Sequence, residues 1–309
     1  MSVPTPVPFG LPTEKSAIPL RLGAAKGFFR DEGIALEIRT LYGGPLLARA
    51  YDSGEIPMGE MGAPPAANAL SRGARFRIVG GGLRRKAHMY LAARRGIDDV
   101  AGLKGGRIGV LSLGSCDEWF CRVICEHEGL DPDRDVTMVG LGAADYPHVV
   151  DMLADGRLAG AVMIEPNVAA GEVAGVLTLL RAVYEQPYVP PVQWIVRVAN
   201  AAFMQREPDL VRAVLRAARR SAHHAARHTD EWRDFMVEQY RIAPEAAARA
   251  IARELPHMHL DGAIDMNGLD NMFAIQARLG ALGGPLRAED VVDLSFLEPR
   301  TAVHPAHPV

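Results

Sequence analysis

Residues 3–40 read VPTPVPFGLPTEKSAIPLRLGAAKGFFRDEGIALEIRT, and this stretch decides the fold class. Its first part, 3–11, reads as a strand. Thr13 or Ser16 is placed to cap a helix that carries residues 17–29 and ends at Gly33, and 34–40 is a second strand. A strand, a helix and a strand in succession build a parallel pair. The same alternation of short β-branched runs with longer helical patterns continues outward, which is the signature of an α/β protein with mainly parallel sheets.

Further strands are expected at 56–61, 75–82, 89–93, 107–111, 135–140, 159–164 and 193–198, the last of them closing the series. Gly43 and Gly44 open a helix through Tyr51, and Pro64 and Pro65 start another that ends near Gly73. Ser115 and Glu118 have the spacing of a capping box at the head of a helix that runs to Glu128. Short helices follow at 146–154 and 168–174. Beyond Pro208 the pattern turns almost wholly helical, at 210–228, 231–240, 244–255 and 267–279. This shift predicts one lobe built from 1–91 and 191–309 and a second lobe, 92–190, inserted between them, with a cleft where they meet.

The chain has 309 residues, enough for two lobes of ordinary size, each with its own core. Its 34 Lys and Arg against 37 Asp and Glu leave a net charge of −3 with the signs interspersed, so no basic stripe exists to grip DNA or RNA. The apolar runs fall far short of the roughly 20 residues that a membrane-spanning helix needs. Residues 1–16 show neither a charged leader segment nor a small-residue cleavage site, which predicts a cytoplasmic protein as written and a periplasmic one if the true start lies upstream. Cys116, Cys121 and Cys125 are an odd number within ten residues, which is neither a disulfide framework nor a zinc pattern.

Four phrases carry a resemblance to a known family. AKGFFRDEGI at 25–34 with LEI at 36–38, AYDSGEIPMG at 50–59 with GAPP at 62–65, VAGLKGGRIGV at 100–110, and DGRLAGAV at 155–162 with Glu165-Pro166 stand in the order and spacing seen in type II periplasmic solute-binding proteins. The chain resembles the branch that binds sulfonates, nitrate, riboflavin precursors and thiamine pyrimidines. EPDLV at 207–211 extends the likeness, while Pro57 and Gly160 stand where the family has Asp. The resemblance implies the two-lobe periplasmic-binding-protein type II fold, with mixed, mainly parallel sheets flanked by helices and a helical C-terminal region. It implies closure on a small anionic or heteroaromatic molecule, no cofactor, and an ABC permease as partner if the protein is exported. The same scaffold also serves enzymes, so the alternative is a cytosolic desulfinase-, decarboxylase- or hydrolase-like activity on an aromatic or heterocyclic acid.

Candidate ligand contacts follow from position, because open α/β sheets bind ligands beyond the carboxyl ends of their strands. The loop with Thr13, Glu14 and Lys15 follows the first strand, with Lys15 suited to an anionic group and Glu14 to an amine. Gly62, Ala63 and Pro64 head one helix, and Gly114, Ser115 and Cys116 head the helix across the cleft. Two helix N-termini aimed at one ligand would suit a carboxylate, sulfonate or phosphate. Cys116, in a first helical turn, is expected to have a lowered thiol pKa and to be the nucleophile of the enzyme alternative, with His88 as its base. Glu165 and Asn167 are polar contacts or hinge braces. Asp145 and Tyr146, at a strand-to-helix turn, are further candidate contacts, and Trp194 or Tyr188 is a candidate to stack on a flat ring. Arg84, Arg85 and Lys86 would draw an anion to the cleft. No metal site is expected: His224 and His228 have a ligating spacing, but flanking arginines mark a solvated face, and Cys121 and Cys125 read as core. Phosphate-loop, serine-elbow and zinc-protease motifs are absent, and Gly80, Gly81 and Gly82 lack dinucleotide-loop spacing.

Overall fold

A computed structural model describes residues 3–82 and 88–297. Its ten strands among those residues are β1 (Thr5–Leu11), β2 (Ile34–Thr40), β3 (Met58–Gly62), β4 (Phe76–Gly81), β5 (Tyr90–Arg94), β6 (Arg107–Val110), β7 (Thr137–Gly140), β8 (Gly160–Met163), β9 (Leu177–Ala182) and β10 (Ile195–Asn200). The described helices of seven residues or more are α1 (Ile18–Ala25), α2 (Gly44–Ser53), α3 (Ala63–Leu70), α4 (Cys116–His127), α5 (Asn167–Val173), α6 (Pro208–Arg227), α7 (Thr229–Tyr240), α8 (Pro244–Glu254) and α9 (Met266–Arg278).

The strands form two five-stranded sheets, ordered β2-β1-β3-β10-β4 and β7-β6-β8-β5-β9. In the first, β1 runs parallel to β2 and β3, and β10 runs against β3 and β4. In the second, β6 runs parallel to β7 and β8, and β5 runs against β8 and β9. Each reversed strand is the one that enters its sheet from the other half of the molecule, so both halves share one plan. The carboxyl ends of β1, β3, β6 and β8 all lead toward the space between the sheets.

The opening strand shows why this sequence tolerates Pro6 and Pro8 inside a sheet. Thr5 N–H donates to the Gly33 carbonyl at 2.8 Å, so the odd-numbered amides of β1 face β2. The proline nitrogens face the other side, where pairing with β3 starts only at Phe9, and no ladder bond is lost. Val7, Phe9 and Leu11 are fully buried against the helical layer.

Local expectations needed three corrections. The helix expected over 17–29 ends at Ala25, because Gly27 takes a left-handed φ of 86° before a short turn at Phe28–Asp31. Neither Thr13 nor Ser16 caps α1; their hydroxyls bond each other at 2.8 Å, and the cap position is Ala17 at φ 52°. The capping box does not close: the Ser115 hydroxyl donates to Asp117 Oδ1 at 2.6 Å, and Glu118 Oε2 accepts from the Gly114 amide at 2.7 Å. Strand β9 was not anticipated; it is an edge strand paired only with β5, and LTLLRA breaks the strict alternation that marks a strand.

The C-terminal helices touch both halves. Trp232, Met236, Ala247 and Ile251 of α7 and α8 pack on Ile18 and Leu22 of α1. Small residues on the other side of α8, Ala246 and Ala250, meet Ala169 of α5 beside the second sheet. Among the described residues no helix is long and apolar enough to cross a membrane. Arg84, Arg85 and Lys86 and the tail 300–309 lie outside the described residues.

Candidate functional site

A cavity of about 90 Å³ lies where the strand ends of the two sheets converge. Pro12 and Thr13 reach it from the end of β1, Met61 and Gly62 from β3, Leu111 from β6 and Ile164 from β8. Trp194 and Met89, which precede the reversed strands β10 and β5, line it too, and Tyr146 completes the second-sheet side. A third wall comes from the C-terminal helices through Trp232, Glu254 and Met258.

Several contacts bridge the cleft. Lys15 Nζ donates to Asn167 Oδ1 at 2.6 Å, joining the β1–α1 loop to the start of α5. Burial lowers the pKa of Lys15 from its ordinary value, against the opposing pull of Glu14 and Asp151. A Cβ added at Gly62 would lie 2.4 Å from Cys116 Sγ, so the backbone at the head of α3 approaches the head of α4 as only glycine allows. Tyr42 meets Tyr146 edge-on, with ring centroids 6.4 Å apart.

Beside the hydroxyls of Thr13, Ser16 and Ser115, the described walls carry acidic side chains. Glu60 on β3 sits opposite Arg197 on β10, and Arg197 Nε donates to Glu60 Oε1 at 2.8 Å, a buried ion pair. Asp117 accepts the Leu111 amide and the Ser115 hydroxyl, both at 2.6 Å, and burial still raises its pKa. Glu254 is 3% exposed. Among the described residues no Lys, Arg or His lines this cavity.

These facts revise the anion chemistry expected at the helix starts. At the head of α3 the Ala63 amide donates to the Trp194 carbonyl at 2.7 Å, and Pro64 and Pro65 have no N–H, so nothing is left there to grip an anion. The head of α4 already holds its own carboxylate, Asp117. Cys116 is likewise corrected. Its thiol is buried, and burial followed by the neighbouring Asp117 pushes its pKa far up, so it is a neutral thiol and not the thiolate that a first-turn position suggests.

Of the predicted contacts, Thr13, Gly62, Ser115 and Cys116 line the cavity, as do Tyr146 and Trp194. Lys15 and Asn167 act just outside it as the cross-cleft bond. Ala63 is spent on Trp194, while Pro64 and Gly114 face a separate surface groove. Glu14 is exposed, and its carbonyl accepts from the Tyr240 hydroxyl at 3.1 Å. Glu165, 1% exposed, is a brace: it accepts the Ala169 amide at 3.0 Å and pairs with Arg253, which also reaches Glu172 at 2.8 Å. His88 is not at the cavity; its ring stacks on Tyr184 at 4.5 Å and meets His257 at 5.2 Å, so the structure does not present it to Cys116. Tyr188 stacks on His127 at 3.9 Å, away from the cavity. His224 and His228 turn to Glu231, at 3.1 and 3.9 Å.

Sequence reasoning missed Glu60, Asp117, Trp232, Glu254 and Met258 as wall residues. Glu60 had a legible signal, a carboxylate inside an otherwise apolar strand, MGEMG. Trp232 and Glu254 had none, because only tertiary packing brings the C-terminal helices to the cleft.

The family described as NMT1/THI5 like matches residues 15–232. YtlA of Bacillus subtilis (strain 168), which bears a binding-protein name, is 20% identical over 224 residues, 70% of this chain; the match spans 66% of YtlA, just under two thirds of its length. The alkanesulfonate-binding protein SsuA of Xanthomonas axonopodis pv. citri, solved with MOPS, superposes with a TM-score of 0.76 at 16% identity over 95% of this chain and 99% of that one. The periplasmic nitrate-binding protein NrtA of Synechocystis PCC 6803 gives 0.75 at 13% identity over 95% and 87%. With its paired five-stranded sheets and intervening cleft, the chain has the periplasmic-binding-protein fold and belongs to the NMT1/THI5-like family.

Proposed function

We propose that this protein is a solute-binding protein that captures one small molecule between its two sheets by hinge closure and hands it on unchanged, with an ABC permease as its partner. The observation that supports this reading is the cavity between the sheets, walled from both halves, with the Lys15–Asn167 bond joining the two halves beside it. The chain passes between the sheets twice, and the described crossing, from β9 to β10, is a natural hinge. Closure expels water, which strengthens every polar contact made inside. The thiol in the walls is buried and neutral, and among the described residues no histidine lines the cavity to activate it, which supports holding over bond-breaking.

Met61, Leu111 and Ile164 with the rings of Tyr146 and Trp194 suit a compact apolar or heteroaromatic body. The names of the structural neighbours connect the fold with alkanesulfonate and nitrate, which keeps a small organic or inorganic solute in scope. Native mass spectrometry on protein purified gently from its own host tests the reading. A retained small molecule whose mass stays constant on incubation supports capture; a mass that changes, or a covalent adduct on Cys116, overturns it.

A further inference from the structure

We infer that the solute carries a hydrogen-bond acceptor, a carbonyl oxygen or a ring nitrogen, and that the indole N–H of Trp232 is the donor that selects it; this rests on the proposed capture of a solute. Trp232, in the first turn of α7, lines the cavity from the side of the C-terminal helices. It is 2% exposed, and its indole N–H makes no hydrogen bond within the protein. Buried indole N–H groups ordinarily find an acceptor, because a bond left unmade forfeits the hydration that the group has in the unfolded chain. A solute held in this cavity supplies that acceptor.

The other side-chain donors around Trp232 differ in this respect. The Thr13 and Ser16 hydroxyls bond each other at 2.8 Å, and the Ser115 hydroxyl donates to Asp117 Oδ1 at 2.6 Å. The Trp194 indole has the Cys116 sulfur as its partner, and the Ile164 amide lies beside the Tyr146 hydroxyl. Trp232 is also fixed before any solute arrives: it shares one buried apolar cluster with Ile18 and Leu22 of α1 and with Ala247 and Ile251 of α8. A rigid, desolvated donor discriminates sharply, since a solute without the acceptor leaves the N–H buried and unpaired. Apolar wall residues such as Met61, Leu111 and Met258 add affinity without making that choice.

The test uses two pairs of probes, each matched in shape and differing in the acceptor: acetophenone with isopropenylbenzene, and cyclohexanone with methylenecyclohexane. Water holds the ketones better than the alkenes, so transfer to an apolar wall alone favours the alkene of each pair. Isothermal titration of the whole protein, freed of any retained molecule, should instead show the better-fitting ketone binding about fivefold or more tighter than its alkene. Trp232→Phe keeps an aromatic body and deletes the N–H. Any gap left by the smaller ring weakens both members of a pair, so the readout is their ratio, which should lose the ketone preference, with thermal melts reporting that the variant is folded. A second readout leaves Trp232 in place. The chain has three tryptophans, and in protein labelled with 15N at the indoles, Trp119→Phe and Trp194→Phe assign the Trp232 cross-peak by elimination. That cross-peak should move further downfield with cyclohexanone than with methylenecyclohexane. Alkenes that match their ketones, a ketone preference that survives Trp232→Phe, equal shifts of the cross-peak, or no binding by any of the four probes would each overturn the assignment. A retained native molecule with no oxygen or nitrogen acceptor would overturn the role of Trp232 alone; a molecule turned over on incubation would overturn the capture reading itself.

Discussion

Gly62→Ala is the substitution that separates closure from folding. Gly62 has φ −68° and ψ 144°, which alanine adopts freely, so the lobe that carries it should fold as before. In the closed form the new Cβ would lie 2.4 Å from Cys116 Sγ. Ordinary contact begins at about 3.5 Å, so the two helix heads must part by at least roughly 1 Å. That displacement strains the 2.6 Å Lys15–Asn167 bond, and crowding a packed interface by one methyl costs about 1–3 kcal/mol. Because the cost falls on the closed state alone, solute affinity should drop by about 5- to 150-fold while the melting temperature of the empty protein stays near that of the wild type. Calorimetric titration with the solute that the wild type retains from its host reads the loss. Cys116→Ala removes the opposing sulfur and should restore most of the affinity in the double variant. Unchanged binding by Gly62→Ala, or no recovery in the double variant, would refute the argument.

Arg253→Ala strips a buried carboxylate, Glu165, of its counter-charge and should cost about 3–5 kcal/mol by urea unfolding. Burial already raises the Glu165 pKa, and a carboxyl that protonates more readily folded than unfolded loses stability as pH rises. The deficit of Arg253→Ala should therefore shrink between about pH 7 and about pH 5, and an equal deficit at both would contradict this. Glu60→Ala leaves the Arg197 guanidinium, 2% exposed, without its partner; it should cost a similar amount, and adding Arg197→Met should recover most of it in the same assay. Iodoacetamide should alkylate Cys116 in the folded protein at least about tenfold more slowly than in urea, since the thiol is buried and neutral; rapid modification, read by peptide mass mapping, would reinstate a reactive cysteine.

The α/β plan was legible in the sequence because its strands are short apolar runs bounded by glycine and proline, and because the resemblance ran in register through both halves. Strand β9 escaped because an edge strand with mixed burial has no clean period. Among site residues, those at strand-to-helix turns, Thr13, Gly62, Ser115 and Cys116, were found by position alone. Their chemistry was not, since it depends on neighbours far apart in sequence. A carbonyl of Trp194 takes the Ala63 amide that an anion would have used, and the Asp117 carboxylate fills the other helix start. His88 looked like a base from its charged context, yet the fold stacks it on Tyr184. Glu165 and Arg253, 88 positions apart, meet only because Ala246 and Ala250 let α8 approach α5 closely.

Closure around a solute is the central claim, and a distance measurement across the cleft tests it most directly. Leu46 in α2 and Leu113 just before α4 are exposed, one in each half of the molecule, and the three native cysteines are buried. Spin labels at Leu46→Cys and Leu113→Cys therefore report the separation of the two halves by double electron–electron resonance. The account predicts a broad, longer distribution for protein stripped of its retained molecule and a narrow, shorter one when that molecule is returned. The same distribution in both samples would contradict it.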